Sequence, residues 1–482
     1  MKKQFFYAAL AIGMMSSCTS SDLPGNQAPE EQLPEEERVA IELGICSPNA
    51  KIEASTKGIG SVGSIDGDEN KWNGEELGIW MYKVTKDAQG TITEAPATDL
   101  DGLKFQAPVT DDDPTNNPGK IRIFSEDRSD LTEYKYVYYP STGAYSFYGF
   151  HLDGADKVPG AQATENQQNG TIEGLIIDGT QDIMTARTMD VTSANYPNAK
   201  EPDGSEISDW DKTKAQSFSA WSARRGIQPT LLFEHKLARL RFFVKAGDES
   251  AAAKKWDTSS GTWIDRELAD VDGDHTGETT KAVQITEISI ENMAKTLDMQ
   301  LSSTGNTLTE QENSEKGTFV LMQKPSSGSG NLEPLQPVSP ECWADGSSGA
   351  TTAGNYQEMT PVGESILFLP VSSTNDQNPG TDKELKIAIK VQQAVVDTYT
   401  EATPGDIHEE SWIVKENTLE TTLKSSTIVP ESGSASDDAV FTPGNSYDII
   451  ITVYSYSKIE ISAQLTKWVN GGSIETAPGD EF

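Results

Sequence analysis

The chain is poor in the residues that carry most protein chemistry. Histidine occurs four times in 482 residues, at positions 151, 235, 275 and 408. None of them has the spacing of a helical zinc motif such as H-E-x-x-H. There is no G-x-S-x-G elbow, no P-loop and no G-x-G-x-x-G following a strand. Carboxylates abound, but nothing in the sequence sets two of them together as a glycosidase pair. The chain is therefore not expected to be an enzyme, and no cofactor is expected. Basic residues are scarce too, 38 against 75 acidic ones, for a net charge of −37. That balance excludes capture of nucleic acid or of an anionic membrane surface by charge. Apolar residues make up 35% of the chain, and the mean hydropathy is −0.51. Windows of helical periodicity are few, while 40 Gly and 24 Pro are spread throughout. Many turns between short strands, an all-β protein, is what this composition suggests.

Residues 1–18 read as an export signal: Lys2 and Lys3, an apolar segment from Phe5 to Met15, then Ser16 and Ser17 before Cys18. The apolar segment is too short to span a bilayer permanently. Met-Ser-Ser-Cys resembles a bacterial lipobox, in which the Cys becomes the lipidated first residue. Residues 19–38 are polar and acidic with almost nothing to bury, so they read as a disordered tether.

The densest apolar run after the signal is 231–247, LLFEHKLARLRFFVKAG. Leu231, Phe233, His235 and Leu237 alternate on one face. Ala238, Leu240, Phe242 and Val244 alternate one residue out of phase. One strand with a β-bulge at the shift is expected, in preference to the rival helix whose face would hold Leu237, Leu240, Arg241 and Val244, and His235 on its apolar side reads as a hydrogen-bonded core histidine. The stretch divides the chain into two β units, 39–226 and 227–482, with 193–226 as a polar boundary.

In the first unit the clearest strand is 39–46, VAIELGIC, with Val39, Ile41, Leu43 and Ile45 pointing one way. Strands are also expected at 77–84, 120–124, 172–178 and 182–186, and 134–139 with 145–150 reads as an aromatic hairpin. Its Tyr and Phe suit cross-strand packing better than a sugar-stacking face. In the second unit strands are expected at 283–290, 318–322, 365–371, 385–392, 447–454 and 458–465, a pattern that suits a β-sandwich. The loops 66–70 (DGDEN) and 270–278 (DVDGDHTGE) are acidic but lack the EF-hand spacing; solvated surface and calcium are both open readings. Cys46 and Cys342 remain after Cys18, and in a secreted chain two thiols are able to pair.

Several of these segments together resemble the fimbrillin family, the pilin subunits and pilin-like lipoproteins of Bacteroidales. FEHKLARLRFFV is similar to that family's F-x-H-x-L…L-x-F-x-V strand. VQITEISIEN is similar to its V-x-I-x-x-I-x-I-x-N element, and TPGNSYDIIITV followed by IEISAQLTKWVNGG to its closing strands. YYPSTGAYSFYGF and DIMTA resemble its N-terminal segments. The resemblance implies two tandem transthyretin-like β-sandwich domains and a lipoprotein precursor held at the outer membrane through lipid on Cys18. It implies a subunit of a fimbria at the cell surface whose partners are other pilin subunits, a processing protease and a surface receptor or glycan. It also implies proteolytic removal of the first strand and its replacement by a neighbour's strand. The matching cleavage point is the bond after Lys57, with Arg38 as the alternative; a cut after Lys57 releases Val39, Ile41, Leu43 and Ile45 with the tether. A bond between Cys46 and Cys342 would block that release, so the two are expected not to pair. The tail after Trp468 is short and polar, which favours a tip or accessory subunit over a shaft subunit. A surface glycan-binding lipoprotein of a polysaccharide-uptake system is the alternative, and a planar set of exposed Trp and Tyr would mark it.

Overall fold

The computed structural model describes residues 38–41, 43–46, 76–87, 91–97, 104–106, 122–123, 138–152, 164–257, 259–266, 280–325, 331–343, 359–370, 384–396, 412–424, 428 and 441–467. Nearly all of its regular structure is β, arranged in several mostly antiparallel sheets.

In chain order the strands up to residue 246 are β1 (Gly44–Cys46), β2 (Glu76–Lys86), β3 (Ile92–Pro96), β4 (Lys104–Gln106), β5 (Arg122–Ile123) and β6 (Ala144–Leu152). They continue with β7 (Thr164–Asn166), β8 (Thr171–Ile176), β9 (Ile183–Thr188), β10 (Thr230–His235) and β11 (Ala238–Ala246). Eight of them form one sheet in the order β1-β10-β9-β6-β2-β4-β5, with β3 also on β2.

This sheet is buried on both faces, which explains why its central strands carry bulky residues at consecutive positions. Leu77, Ile79 and Met81 of β2 and Tyr145 and Phe147 of β6 face one core. Trp80 and Tyr82, with Tyr148 and Phe150, face the other. The next position on the Phe147 face is Gly149, where a Cβ would stand 2.8 Å from the Phe233 ring. A side chain there would push β10's aromatic off the sheet.

The 231–247 stretch is not one bulged strand. It is two strands in two sheets. β10 pairs antiparallel with β9, and β11 pairs antiparallel with Thr360–Phe368 and parallel with Asn445–Ser455. Lys236 closes the first ladder by donating its N–H to the Ile183 carbonyl, and the Leu237 carbonyl accepts from Gly444 in the second unit. The phase slip of the apolar pattern is therefore a change of sheet, made across two residues. A bulge does occur beside β11, but on its partner: the register jumps between Arg241 and Phe242, opposite Gly363 with φ +60°. Left-handed backbone of this kind is cheap only for glycine.

The boundary expected at 226–227 falls three residues ahead of β10, so the first strand after it lies in the first sheet. The polar stretch before it is ordered. It holds two short helices, α1 (Trp210–Ala215) and α2 (Ala220–Ala223), capped by Asp209 and by the reciprocal Ser219–Ser222 pair. The expected 134–139 and 145–150 hairpin is not seen among the described residues: Tyr138 forms its bridge with Ala40 instead.

Beyond β11, two four-stranded sheets share the larger core. One runs Thr360–Phe368, β11, Asn445–Ser455, Lys458–Lys467. The other runs Lys316–Val320, Gln284–Ala294, Glu384–Val396, Trp412–Lys424. Leu240, Phe242, Val244, Ile449 and Ile451 from the first meet Ile288, Ile290, Ile387 and Ile389 from the second in one apolar cluster. A further sheet draws on both halves of the chain: β7 and β8 pair with Thr296–Gln300 and Thr307–Glu310.

Candidate functional site

The segment 38–46 lies along the free side of β10. Its end, β1, runs parallel to β10 with Gly44 opposite Thr230 and Cys46 opposite Leu232. Its beginning is held elsewhere. Ala40 bridges Tyr138 antiparallel, and Tyr139 donates its N–H to the Val39 carbonyl at 2.9 Å. The segment thus ties the sheet's outermost strand to the turn before β6.

Alternation decides which side chains go inward. Leu43 is 5% exposed and sits in the smaller core; Val39 and Ile41 are half-buried against it. The floor of this slot is Leu231 and Phe233 of β10, with Met184 and Ala186 of β9 beyond them. Across from the sheet stand Val191, Tyr196, Ile207, Phe218 and Ile227, all from the stretch that carries α1 and α2. Polar groups line one end. Gly44 donates its N–H to the Pro229 carbonyl at 2.9 Å. The Gln228 side chain donates to the Ala40 carbonyl at 3.4 Å and accepts from the Tyr139 hydroxyl at 3.3 Å. The Tyr196 hydroxyl donates to the Gln228 carbonyl at 3.0 Å.

Of the sequence-derived site residues, the structure brings Val39, Ile41 and Leu43 together on this slot. Ile45 is in β1 by its backbone; its side chain lies outside the described residues, as do Cys18 and Lys57. Arg38 is exposed at the start of the segment, its guanidinium 5.9 Å from the centre of the Tyr138 ring. Arg224 and Arg225 are at the end of α2. Arg225 stacks 3.4 Å over Trp221, donates to Glu201 at 2.8 Å and donates to the Trp221 carbonyl at 2.8 Å.

Aromatics on the first sheet pack against each other rather than outward. Tyr82 and Tyr148 meet edge to face at 5.5 Å, and the Tyr148 hydroxyl donates to both Glu94 carboxylate oxygens at 3.0 Å. Burial first, then the Glu94 charge, pushes that phenol far above its usual range. Trp256 and Trp263 are partly exposed but cross at 74°, and the Trp221 face is covered by Arg225. These three do not make a coplanar platform. Trp72 and Trp468 lie outside the described residues, as do the acidic loops 66–70 and 270–278. Among the described residues no group of three or more His, Cys, Asp or Glu is placed to hold a metal ion. His235 is a core histidine, its Nδ1 2.9 Å from an Asp182 carboxylate oxygen with both side chains almost fully enclosed.

No family model and no curated protein matches the chain. Solved structures do. A Bacteroides uniformis ATCC 8492 protein described provisionally as a cell adhesion protein is 13% identical, with 90% of this chain and 100% of that one covered and a TM-score of 0.38. The tip fimbrial protein Mfa3 of Porphyromonas gingivalis, truncated at its C-terminus, is 9% identical over 89% of this chain and 100% of that one, with a TM-score of 0.31. The fimbrillin FimA of P. gingivalis W83 is 10% identical over 90% and 98%, with a TM-score of 0.32. The structures similar to this chain are fimbrial proteins and proteins ascribed to adhesion.

At the other end of the chain, Lys458–Lys467 is an edge strand, paired among the described residues only with Asn445–Ser455. Ile459 and Ile461 are half-buried and Ala463 is buried against the larger core, while Glu460 and Ser462 face solvent. Cys342 is buried in the short strand Cys342–Trp343, which pairs with Lys254 and Lys255.

Proposed function

We propose that this chain is a structural and adhesive subunit of a cell-surface fimbria. It is exported as a lipoprotein precursor, lipidated at Cys18 and held at the outer membrane. A trypsin-like protease cuts after Lys57, with Arg38 as the alternative; the tether and the 39–46 strand leave, and a strand of a neighbouring subunit takes the slot. The folded part is read as two transthyretin-like β units, 39–226 and 227–482, with β10 lending the start of the second to the sheet of the first. Its proposed place in the fimbria is a tip or accessory position.

One observation carries this reading. Val39, Ile41 and Leu43 fill an apolar slot with alternate side chains, yet their segment sits at a sheet edge, held by backbone to β10 over three residues and to Tyr138 and Tyr139 at its start. A strand so placed can be withdrawn without breaking any other ladder of the sheet. Its departure uncovers both apolar surface and backbone groups, which a second strand satisfies together. The donor, if it comes from the same kind of chain, is the Lys458–Lys467 edge strand, whose alternating Ile459, Ile461 and Ala463 match the spacing of Ile41, Leu43 and Ile45.

N-terminal sequencing of material sheared from cells tests the proposal. Surface protein beginning at Gly58 and assembling after trypsin treatment is the expected result. A start at Val39, or a lipidated intact N-terminus on all surface material, removes strand exchange. Binding on a glycan array without assembly would instead favour the polysaccharide-uptake role.

A further inference from the structure

The dipeptide ahead of β10, Gln228-Pro229, touches the 39–46 strand in a particular way. Both contacts go to backbone. The Gln228 Nε2 donates to the Ala40 carbonyl, and the Pro229 carbonyl accepts from the Gly44 N–H. Proline has no N–H of its own, so at this edge position it offers an acceptor only. The two contacts bracket the stretch whose Leu43 side chain enters the core. Gln228 is itself held from two directions, by the Tyr139 hydroxyl on its side-chain oxygen and by the Tyr196 hydroxyl on its carbonyl. Those two tyrosines belong to opposite walls of the slot: Tyr139 precedes β6, and Tyr196 lies in the stretch leading to α1.

We infer that Gln228 is a positioning residue that sets the register of whatever strand occupies the slot by reading its main chain. The inference rests on the strand-exchange reading for the incoming strand, but it applies equally to the resident one. The slot is apolar and tolerant of side-chain identity. A one-residue slip of a β-strand turns its inward side chains outward, and apolar contacts between similar residues resist such a slip weakly. A fixed donor and a fixed acceptor, four residues apart along the occupant, select one register without selecting a sequence. Because Gln228 is tied to Tyr139 and Tyr196 rather than to the strand alone, it keeps its place when the strand leaves.

The test uses amide hydrogen exchange on the full chain with the resident strand in place, so it does not require assembly. Two substitutions separate the roles. Gln228→Met keeps the length and loses every polar atom. Gln228→Glu keeps the acceptor for Tyr139 and loses the donor to Ala40. Each is expected to lower protection of the Tyr139 and Gly44 amides by about five-fold, the effect of one net hydrogen bond. The β6–β9 ladder is expected to hold unchanged. Wild-type protection in Gln228→Met would mean that the residue only fills space. A loss in Gln228→Met but not in Gln228→Glu would mean that the Tyr139 contact matters and the reading of Ala40 does not. An equal loss in the β6–β9 ladder would mean general destabilisation. Each of these three results overturns the inference. Assembly of protease-treated wild-type protein is scored separately: its absence removes strand exchange and leaves the Gln228 result standing or falling by itself.

Discussion

Replacing Leu43 by Ala should loosen the first strand without unfolding the protein. Leu43 is 5% exposed and is the most enclosed described side chain of its segment, Val39 and Ile41 being half-buried. Buried Leu→Ala substitutions cost about 2–5 kcal/mol, the transfer of the lost atoms plus the cavity left behind. Here the cost falls on a segment paired to one strand over three residues, so it is charged to local opening rather than to global unfolding. At 1.4 kcal/mol per factor of ten, the population of the open slot should rise about 30- to 3,000-fold. The assay follows capture of a fluorescent peptide with the 39–46 sequence by full-length protein cut with trypsin. Uncut protein is the reference, and the melting transition is recorded in parallel. Faster capture by Leu43→Ala with a melting temperature lowered by only a few degrees is the expected pair of results. If the variant melts far earlier and captures peptide no faster, the segment is an integral part of the core. Its removal could not then be a step of maturation.

Cys18→Ala should move the precursor from the membrane fraction to the soluble one, measured by fractionation of cells. Mapping of unreduced peptides should show no linkage between Cys46 and Cys342; a linked pair would anchor the strand permanently. Limited trypsin treatment followed by mass spectrometry should leave the Arg224–Arg225 site uncut, because Arg225 is stacked on Trp221 and bonded to Glu201. Arg225→Ala removes hydrogen bonds from a charged donor, worth about 1.5–3 kcal/mol each, and should make the bond after Arg224 a tryptic site.

Strands with period-two apolar patterns were legible from the sequence. Val39, Ile41 and Leu43 do share a face, and the expected strands of the second unit fall within or close to Gln284–Ala294, Thr360–Phe368, Glu384–Val396 and Asn445–Ser455. Where the pattern failed, the cause is physical. The shift within 231–247 was sound as an observation, but alternation reports which face is buried and not which sheet is joined. A bulge and a crossing between sheets leave the same trace. Trp412–Lys424 went unrecognised because, as an edge strand, it presents Lys415 and Asn417 at partly covered positions between Ile413 and Leu419, and Thr421 between Leu419 and Leu423. The stretch with α1 and α2 looked like a linker because its apolar residues, Val191, Tyr196, Ile207 and Phe218, are widely spaced. They cover the slot one at a time, from loops and short helices, and no periodicity signals that. Gln228 had no sequence signal at all, since its role depends on two tyrosines far away in the chain.

The sheet that β8 shares with Thr296–Gln300 bears on the order in which the chain can fold. Asp298 caps β8 by accepting the Gly174 N–H from 124 residues away. β11 waits longer still, as the carboxylate that pairs with Arg241 belongs to Asp448, 207 residues on. Synthesis delivers the N-terminal end first. For most of its synthesis, then, the chain carries β8 and β11 with open edges and uncovered apolar faces. Contacts at such separations also make folding slow. Lone strands in that state join indiscriminately. The larger core can therefore close only once the last fifth of the chain is present, so the two halves of this protein are completed together rather than one after the other.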